Sequence, residues 1–199
     1  MGKVLSIVVL ISGSGSNLRA LLEACDNPLF PAKIVAVGAD QAADGLAHAE
    51  QFGVPIFVVE PGLFPSRDKW SEMLLQNVKY HNPDLVVLAG FMKVLPESFV
   101  SELSPNLINL HPSLLPAFPG AHAVRDALAA GVSTTGATVH IVDAGVDTGP
   151  VLAQREVAIA AGISEADLHE QIKTVERALI VDVVAEIAEG KLILSERAN

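Results

Sequence analysis

The sequence predicts an α/β protein built on a single doubly wound, mostly parallel sheet that becomes antiparallel in its C-terminal part. Two largely apolar runs, Val4–Ile11 and Asp84–Ala89, are typical of strands buried on both faces of a parallel sheet. Short strands alternate with helical segments in the first half, which favours parallel pairing through helical crossovers. Later, Thr135–Val142 and Val151–Val157 are joined by a loop instead of a helix, which indicates antiparallel strands.

The remaining elements follow from local signals in chain order. A glycine loop ends the first strand, and Ser164 is a good N-cap for a long last helix that stops before Gly190. The predicted strands are Val4–Ile11, Lys33–Val37, Ile56–Val59, Asp84–Ala89, Leu107–His111, Thr135–Val142, Val151–Val157 and a short one at Lys191–Leu194. The predicted helices are Asn17–Ala24, Gly45–Gln51, Ser66–Lys79, the turn Pro96–Ser101, Arg125–Ala129 and the helix from Ser164 to about Ala188.

Composition limits the partners that we expect. The 199 residues carry a net charge of −10, which argues against a nucleic-acid or anionic-membrane surface but not against a phosphorylated small molecule. The lone Cys25 excludes an internal disulfide and is interpreted as a helix residue. The six histidines show no zinc-type spacing, so no metal is predicted. The first apolar run is too short to span a bilayer and precedes no signal-peptide cleavage site, so we expect a cytoplasmic protein; the oligomeric state is not predicted.

The segment Leu107–Pro116 carries the first chemical signal. Asn109 and His111 are two apart on a strand and so project to the same side, and Pro112 should end that strand at His111. Open α/β sheets bind ligands where strands end. An amide that donates to a carbonyl oxygen and an imidazole that moves a proton suit chemistry at a carbonyl carbon. The alternative is a capping asparagine beside a structural histidine.

The loop Ser12–Ser16 lies between the first strand and the first helix. Its glycines allow a tight turn, and the helix start offers free N–H groups to an anion. Leu18 stands where the dinucleotide fingerprint has its third glycine, so Asp40 as a ribose acid is weakly supported. A mononucleotide phosphate fits better, and a simple tight turn is the alternative.

Three motifs resemble the signatures of the folate-dependent formyltransferases, and most closely those of the purine-pathway branch that formylates glycinamide ribonucleotide. They are Ser12–Leu18, the stretch Ile108–Pro116 followed by Phe118-Pro119-Gly120, and Asp143–Pro150, in the family's order and spacing. The resemblance implies the Rossmann variant of these enzymes in a single domain over residues 1–199. It divides into a mononucleotide-binding half, about 1–105, and a catalytic and folate-binding half, about 106–199.

The resemblance also implies roles for individual residues. Asn109 and His111 would hold the oxyanion that forms when the glycinamide amine attacks the formyl carbon of 10-formyltetrahydrofolate, without a covalent enzyme intermediate or a metal. Asp147 would favour the protonated form of His111. The implied ribonucleotide contacts are Gly15, Ser16, Asn17, Lys173 and Glu176. The implied folate contacts are Arg67, Met92, Lys93, Val94, Leu95, Asn109, Asp143, Ala144, Gly145, Val146 and Asp147.

Each of these residues also has a purely structural interpretation. Asp147 is typical of a turn, Met92–Leu95 of core packing and a helix entry, and Arg67 of a solvated helix charge. Glu176 lies about 40° from the buried stripe of the last helix, so it either reaches ribose hydroxyls or lies at the surface. His140 and Thr138 share one strand face and are further candidates to line the site, as is His122, but each also fits a structural role.

Three rival functions remain at this stage. A formyltetrahydrofolate deformylase would use the same triad on water, but that family carries an extra N-terminal domain. A methionyl-tRNA formyltransferase would add a C-terminal nucleic-acid-binding domain. A non-catalytic nucleotide-binding module would keep the glycine loop but would not need Asn109, His111 and Asp147 together.

Overall fold

A computed structural model describes residues 3–195 and contains a seven-stranded mixed sheet in the order β3-β2-β1-β4-β5-β6-β7. The first five strands pair in parallel, and β6 and β7 are antiparallel to their neighbours. The predicted doubly wound sheet with an antiparallel C-terminal part is therefore confirmed. The strands are Leu5–Ile11 (β1), Ala32–Ala39 (β2), Ile56–Val58 (β3), Leu85–Leu88 (β4), Leu107–His111 (β5), Thr134–Ile141 (β6) and Val151–Ala158 (β7).

The helices agree with the prediction in number and order. They are Ser16–Asp26 (α1), Leu46–Gln51 (α2), Arg67–Tyr80 (α3), Glu97–Leu103 (α4), Ala123–Ala129 (α5) and Glu165–Ala188 (α6), with a 3₁₀ turn at Pro61–Leu63 that was not predicted. The strand predicted at Lys191–Leu194 is wrong. The amides of Lys191 and Leu192 both donate to the Glu186 carbonyl, so this segment turns back onto the end of α6 and does not pair with the sheet.

Apolar side chains cover both faces of the sheet. On one face α1 and α6 contribute Leu18, Leu21, Ile172 and Leu179 to the core. On the other face α3 and α4 contribute Trp70, Leu74 and Phe99. Trp70 is 2% exposed, and its indole N–H donates to the Val59 carbonyl at 2.7 Å, so its one polar atom is satisfied. The helices thus fix the strands whose ends carry the functional residues.

The carboxyl ends of the parallel strands lie along one edge of the sheet. The chain leaves β1 at Ser12, β2 at Asp40, β4 at Ala89 and β5 at Pro112. Because β1 has β2 on one side and β4 on the other, the loops after β1 and β4 diverge, and a crevice opens between them. Over residues 3–195, no helix combines the length and the apolar character that crossing a membrane requires.

Candidate active site

Two neighbouring strands place an amide beside two imidazoles. In the antiparallel register of β5 and β6, Asn109 lies opposite His140, and His111 lies opposite Thr138. Asn109 Nδ2 is 3.1 Å from His140 Nε2. β5 ends at His111, as the following proline predicts. Asn109, His111 and His140 therefore face one cleft at the strand ends.

The loop between β6 and β7 brings Asp147 over these side chains. Its Oδ2 accepts a hydrogen bond from the Gly120 amide at 2.7 Å and lies 3.4 Å from His111 Nδ1. Its Oδ1 lies 3.5 Å from Asn109 Nδ2 and 3.6 Å from His140 Nε2. Sequence spacing alone does not place Asp147 near His111, and the structure brings the two together.

Local hydrogen bonds and a glycine shape this loop. The Thr148 hydroxyl donates to the Asp143 carboxylate at 2.8 Å, which closes the turn on itself. A Cβ at Gly149 would lie 1.9 Å from the Ile141 carbonyl oxygen, so the chain can pass here only with glycine. Asp147 itself has a φ of 56°. Left-handed non-glycine residues of this kind concentrate at functional sites.

Opposing effects set the charge of Asp147. Burial raises the pKa of its carboxyl, but hydrogen bonding with His140 and Gly120 and the charges of His111 and His140 outweigh burial, so the pKa lies below its usual value. The carboxylate is thus ionised at neutral pH.

His111 has acceptors on both sides. Its Nε2 is 2.9 Å from the Phe118 carbonyl oxygen and its Nδ1 faces the Asp147 carboxylate. A carbonyl and a carboxylate can only accept, so the doubly protonated imidazole is the form that satisfies both contacts. Phe118 presents its carbonyl with a φ of 53°, and the Ser113 hydroxyl donates to the same oxygen at 3.2 Å. The loop after β5 is therefore built to hold a cationic ring.

The cleft continues away from these polar groups as an apolar slot. Three large hydrophobic side chains on its wall are exposed, Met92 at 72%, Val94 at 57% and Val146 at 51%. Exposed apolar surface inside a cleft is typical of a binding site for a flat, partly apolar ligand. Of the predicted folate contacts, Met92, Lys93, Val94, Leu95, Asn109, Asp143, Gly145, Val146 and Asp147 line the cleft. The other two do not line it: Ala144 lies in the adjoining loop, and the Arg67 guanidinium donates to the Val94 carbonyl at the rim.

A second pocket lies directly beside the first and is built around the glycine loop. Gly15 has a φ of 71°, and a Cβ there would lie 2.9 Å from Gly45 Cα, so the turn before α1 requires glycine. The wall holds every predicted ribonucleotide contact, Gly15, Ser16, Asn17, Lys173 and Glu176, and also Asp40, Lys93 and His169. Met92, Lys93, Leu110 and Pro112 belong to both pockets. Two ligands bound in these pockets would therefore lie side by side.

Glu176 is a buried acid in the second pocket. It is 5% exposed, and its Oε2 accepts a hydrogen bond from Asn17 Nδ2 at 3.3 Å. Burial raises its pKa above the usual value, although the Asn17 bond and the charges of Lys173 and Arg177 oppose the rise. Burial and the Lys173 charge lower the pKa of His169, so Lys93 and Lys173 are the cations that its wall offers to an anion.

Unpartnered polar atoms surround the glycine loop. Within residues 3–195, four buried side-chain atoms have no hydrogen-bond partner, and three of them, Asn17 Oδ1, Asp40 Oδ1 and His48 Nδ1, belong to this region. Asp40 is 3% exposed, and its Oδ2 lies 3.7 Å from Lys93 Nζ. Buried polar atoms without partners are destabilising unless a ligand or water completes them. The second pocket is therefore suited to a polar ligand.

The sequence profile described as formyl transferase matches residues 5–184 of the chain. The chain belongs to the formyl transferase family.

Named relatives of this formyl transferase agree on one branch of the family. Phosphoribosylglycinamide formyltransferase of Mycobacterium tuberculosis (strain ATCC 25618 / H37Rv) is 50% identical over 182 residues, which cover 92% of this chain and 84% of the relative. The Escherichia coli (strain K12) protein of the same name is 40% identical over 195 residues, which cover 98% and 92%. The crystal structure of glycinamide ribonucleotide transformylase 1 from Symbiobacterium toebii superposes with a TM-score of 0.95 at 38% identity and covers all of this chain and 94% of that one.

Several site features of this formyl transferase were not evident from sequence. The Phe118 carbonyl, the Gly120 amide and the Asp40 carboxylate reach the site only through the fold, and their residue types alone signal nothing. Thr138 is completely buried behind the site, where its hydroxyl donates to the Ser113 carbonyl at 2.6 Å. His122 caps α5 and is absent from the walls of both pockets.

Two groups outside the chemistry can also be placed. Burial raises the pKa of the Cys25 thiol to about 11, in keeping with its interpretation as a helix residue and not a nucleophile. Over the described part of the chain, residues 3–195, no cluster of three or more histidine, cysteine or acidic side chains is arranged to bind a metal ion.

Proposed function

We propose that this enzyme transfers the formyl group of 10-formyltetrahydrofolate to the amine of glycinamide ribonucleotide, a step of purine biosynthesis. The observation that carries the proposal is the junction of the two pockets. The apolar slot ends at Asn109, His111 and Asp147, and the glycine-loop pocket opens beside it across Met92 and Pro112. A group transfer between two bound molecules needs such a junction, since both reacting atoms must meet in one place. The relatives at 40–50% identity support the same reaction.

The glycine-loop pocket fits the ribonucleotide. The amide groups at the start of α1 and the lysines Lys93 and Lys173 suit a phosphate. The carboxyl of Glu176, held by Asn17, suits ribose hydroxyls. This arrangement orients the glycinamide end toward Asn109.

The apolar slot fits the folate. Met92, Val94 and Val146 offer apolar contact to a flat ring, and the backbone around Leu95 offers hydrogen bonds to its edge. Arg67 at the rim, tied to Val94, is placed to meet a carboxylate at the far end of the ligand. The formyl group then lies at the polar end of the slot.

The three polar residues at the junction stabilise charge and move protons. As the amine attacks the formyl carbon, negative charge develops on the formyl oxygen, and the Asn109 amide together with the charged His111 ring stabilises it. Asp147 holds His111 in its charged form through the 3.4 Å contact. Direct donation from His111 requires its Nε2–H to leave the Phe118 carbonyl, after which the ring can help carry the proton from the amine to the departing folate nitrogen.

A paired turnover assay tests the proposal. Tetrahydrofolate release from 10-formyltetrahydrofolate is followed with and without glycinamide ribonucleotide, and the formylated product and free formate are both quantified. We expect release that depends on the ribonucleotide and equals the formylated product. Equal release without the ribonucleotide, with free formate, would make the protein a deformylase. No turnover with amine or water, together with ribonucleotide binding, would favour the non-catalytic module.

A further inference from the structure

We infer that His140 is a positioning residue: it acts as a neutral imidazole that orients the Asn109 amide, beside a His111 ring that is charged. The inference rests on the proposed function, because it assigns the way in which the oxyanion donor of that reaction is held. His140 is 2% exposed and lies on β6 directly opposite Asn109.

The first step is the tautomer of His140. Its Nδ1 lies 2.9 Å from the carbonyl oxygen of Ile141. A carbonyl oxygen has no proton to give, so Nδ1 must carry the hydrogen. In the neutral ring the other nitrogen, Nε2, is then a bare acceptor.

The second step is the orientation of Asn109. Its Nδ2 lies 3.1 Å from His140 Nε2, so an amide N–H meets the bare nitrogen and forms a hydrogen bond. A proton on Nε2 would set two donors against each other at this distance and would turn the amide round. Asn109 would then present its carbonyl oxygen where its N–H groups now lie.

The third step is the contrast between the two rings. Both nitrogens of His111 face acceptors, which the charged ring satisfies. His140 faces one acceptor and one donor, which the neutral ring satisfies. Asp147 is the charged group in contact with both: its Oδ2 is 3.4 Å from His111 and its Oδ1 is 3.6 Å from His140. The nearer oxygen, the acceptor on each side of its ring, and the lack of a competing donor all favour the proton on His111.

The consequence concerns the two hydrogens of the Asn109 amide. One is held by His140, and the other has only the long 3.5 Å contact to Asp147 Oδ1. The weakly held hydrogen is the one that a developing oxyanion can capture. His140 therefore acts on the reaction through Asn109 without touching the substrate.

Kinetics of two matched variants test this role. His140→Leu removes the acceptor and keeps much of the bulk, whereas His140→Gln retains an acceptor oxygen near the position of Nε2. We expect His140→Leu to lower kcat about 10- to 100-fold, less than the ~10²–10³-fold typical of deleting an oxyanion donor. Both KM values should stay within about threefold, because the affected interaction forms in the transition state. His140→Gln should recover at least part of kcat, and a His140→Gln variant as slow as His140→Leu would overturn the inference.

A double mutant separates positioning from a general structural effect. If His140 acts only through Asn109, adding His140→Leu to Asn109→Ala should lower kcat no further, whereas an additive loss would contradict the inference. If the wild-type enzyme does not formylate glycinamide ribonucleotide at all, it is the proposed function that fails.

Nitrogen-15 NMR of the histidine side chains in the unmodified protein gives a readout that needs no variant. At neutral pH we expect His140 to be protonated at Nδ1 alone and His111 at both nitrogens. Protonation of His140 at Nε2 would overturn the inference, whatever the kinetics of the variants.

Discussion

The two adjoining pockets satisfy their polar groups in different ways. At the strand ends, Asn109, His111, His140 and Asp147 bond to one another or to backbone groups. Around the glycine loop, buried polar atoms of Asn17, Asp40 and His48 have no partner. The first pocket is complete within the protein, and the second is completed by what binds there.

The difference fits a division of labour between chemistry and recognition. Charge that develops during a reaction is best stabilised by dipoles that are already in place, because reorganising them would raise the barrier. A recognition pocket instead needs donors and acceptors that the free protein leaves available. Variants of the first pocket should therefore change kcat, and variants of the second should change substrate affinity.

Asp147→Asn tests this division with the largest expected effect. The substitution keeps the shape of the side chain but removes the charge that faces His111. We expect kcat to fall about 10³-fold, within the ~10²–10⁴ range of a positioned acid–base group, with both KM values changed little. Steady-state kinetics would measure this, with Asp126→Asn as the control, because Asp126 is a half-exposed acid paired with Arg125. A rise in KM with kcat intact would break the comparison.

Gly15→Ala should weaken ribonucleotide binding without disturbing the strand ends. A methyl group there would lie 2.9 Å from Gly45 Cα at a φ of 71°, and a left-handed alanine is unfavourable by ~1–2 kcal/mol. We expect about a tenfold or greater loss of ribonucleotide affinity by calorimetry, if the strain is relieved by moving the loop. Folate affinity should be retained. Gly62→Ala, where an added methyl group meets nothing within 4 Å, should leave both affinities unchanged.

Glu176→Gln examines one contact of the recognition pocket. The amide keeps the shape and one acceptor but loses the charge that can bind ribose hydroxyls. We expect the KM for the ribonucleotide to rise roughly tenfold, as for the loss of a charge-assisted hydrogen bond, with kcat within about twofold. Glu189→Gln, at the distant end of α6, serves as the matched control. A collapse of kcat would place Glu176 in the chemistry and blur the distinction between the pockets.

The smallest expected effect is on stability, and it sharpens the same distinction. Burial raises the pKa of Glu176 in the folded protein, so the native state holds this proton more tightly than the unfolded state does. The free energy of unfolding should therefore fall as the pH rises from about 4.5 through the raised pKa, by about 1.4 kcal/mol for each unit of the rise. Urea unfolding of the wild type and of Glu176→Gln should diverge over this interval. Parallel curves would mean that the Glu176 carboxyl titrates alike in both states.

Prediction from sequence worked where the signal is local. The proline after His111 ended β5 at the expected residue, and the two-residue period placed Asn109 and His111 in the same cleft. The sheet order and the antiparallel turn of β6 and β7 followed from element alternation and loop length.

Prediction from sequence failed or was silent where distant parts of the chain meet. The register between β5 and β6, which sets His140 against Asn109, depends on how two strands pair and not on the residue types of either. The strand predicted at Lys191–Leu194 was apolar enough but had no sheet edge to join, because the segment folds back on α6. The two proposed halves of the chain remain a prediction, and both pockets take residues from each of them.

A hydrogen bond between the two loops has a thermodynamic consequence. The Ser12 hydroxyl, at the start of the glycine loop, accepts from the Met92 amide at 2.8 Å, and Met92 belongs to both pocket walls. A ligand that shifts either loop therefore changes the free energy of binding in the other pocket. Such coupling is reciprocal, so the factor by which one substrate changes the affinity of the other must equal the factor in the opposite direction. The order in which the two substrates bind is thus written into a single bond between neighbouring loops.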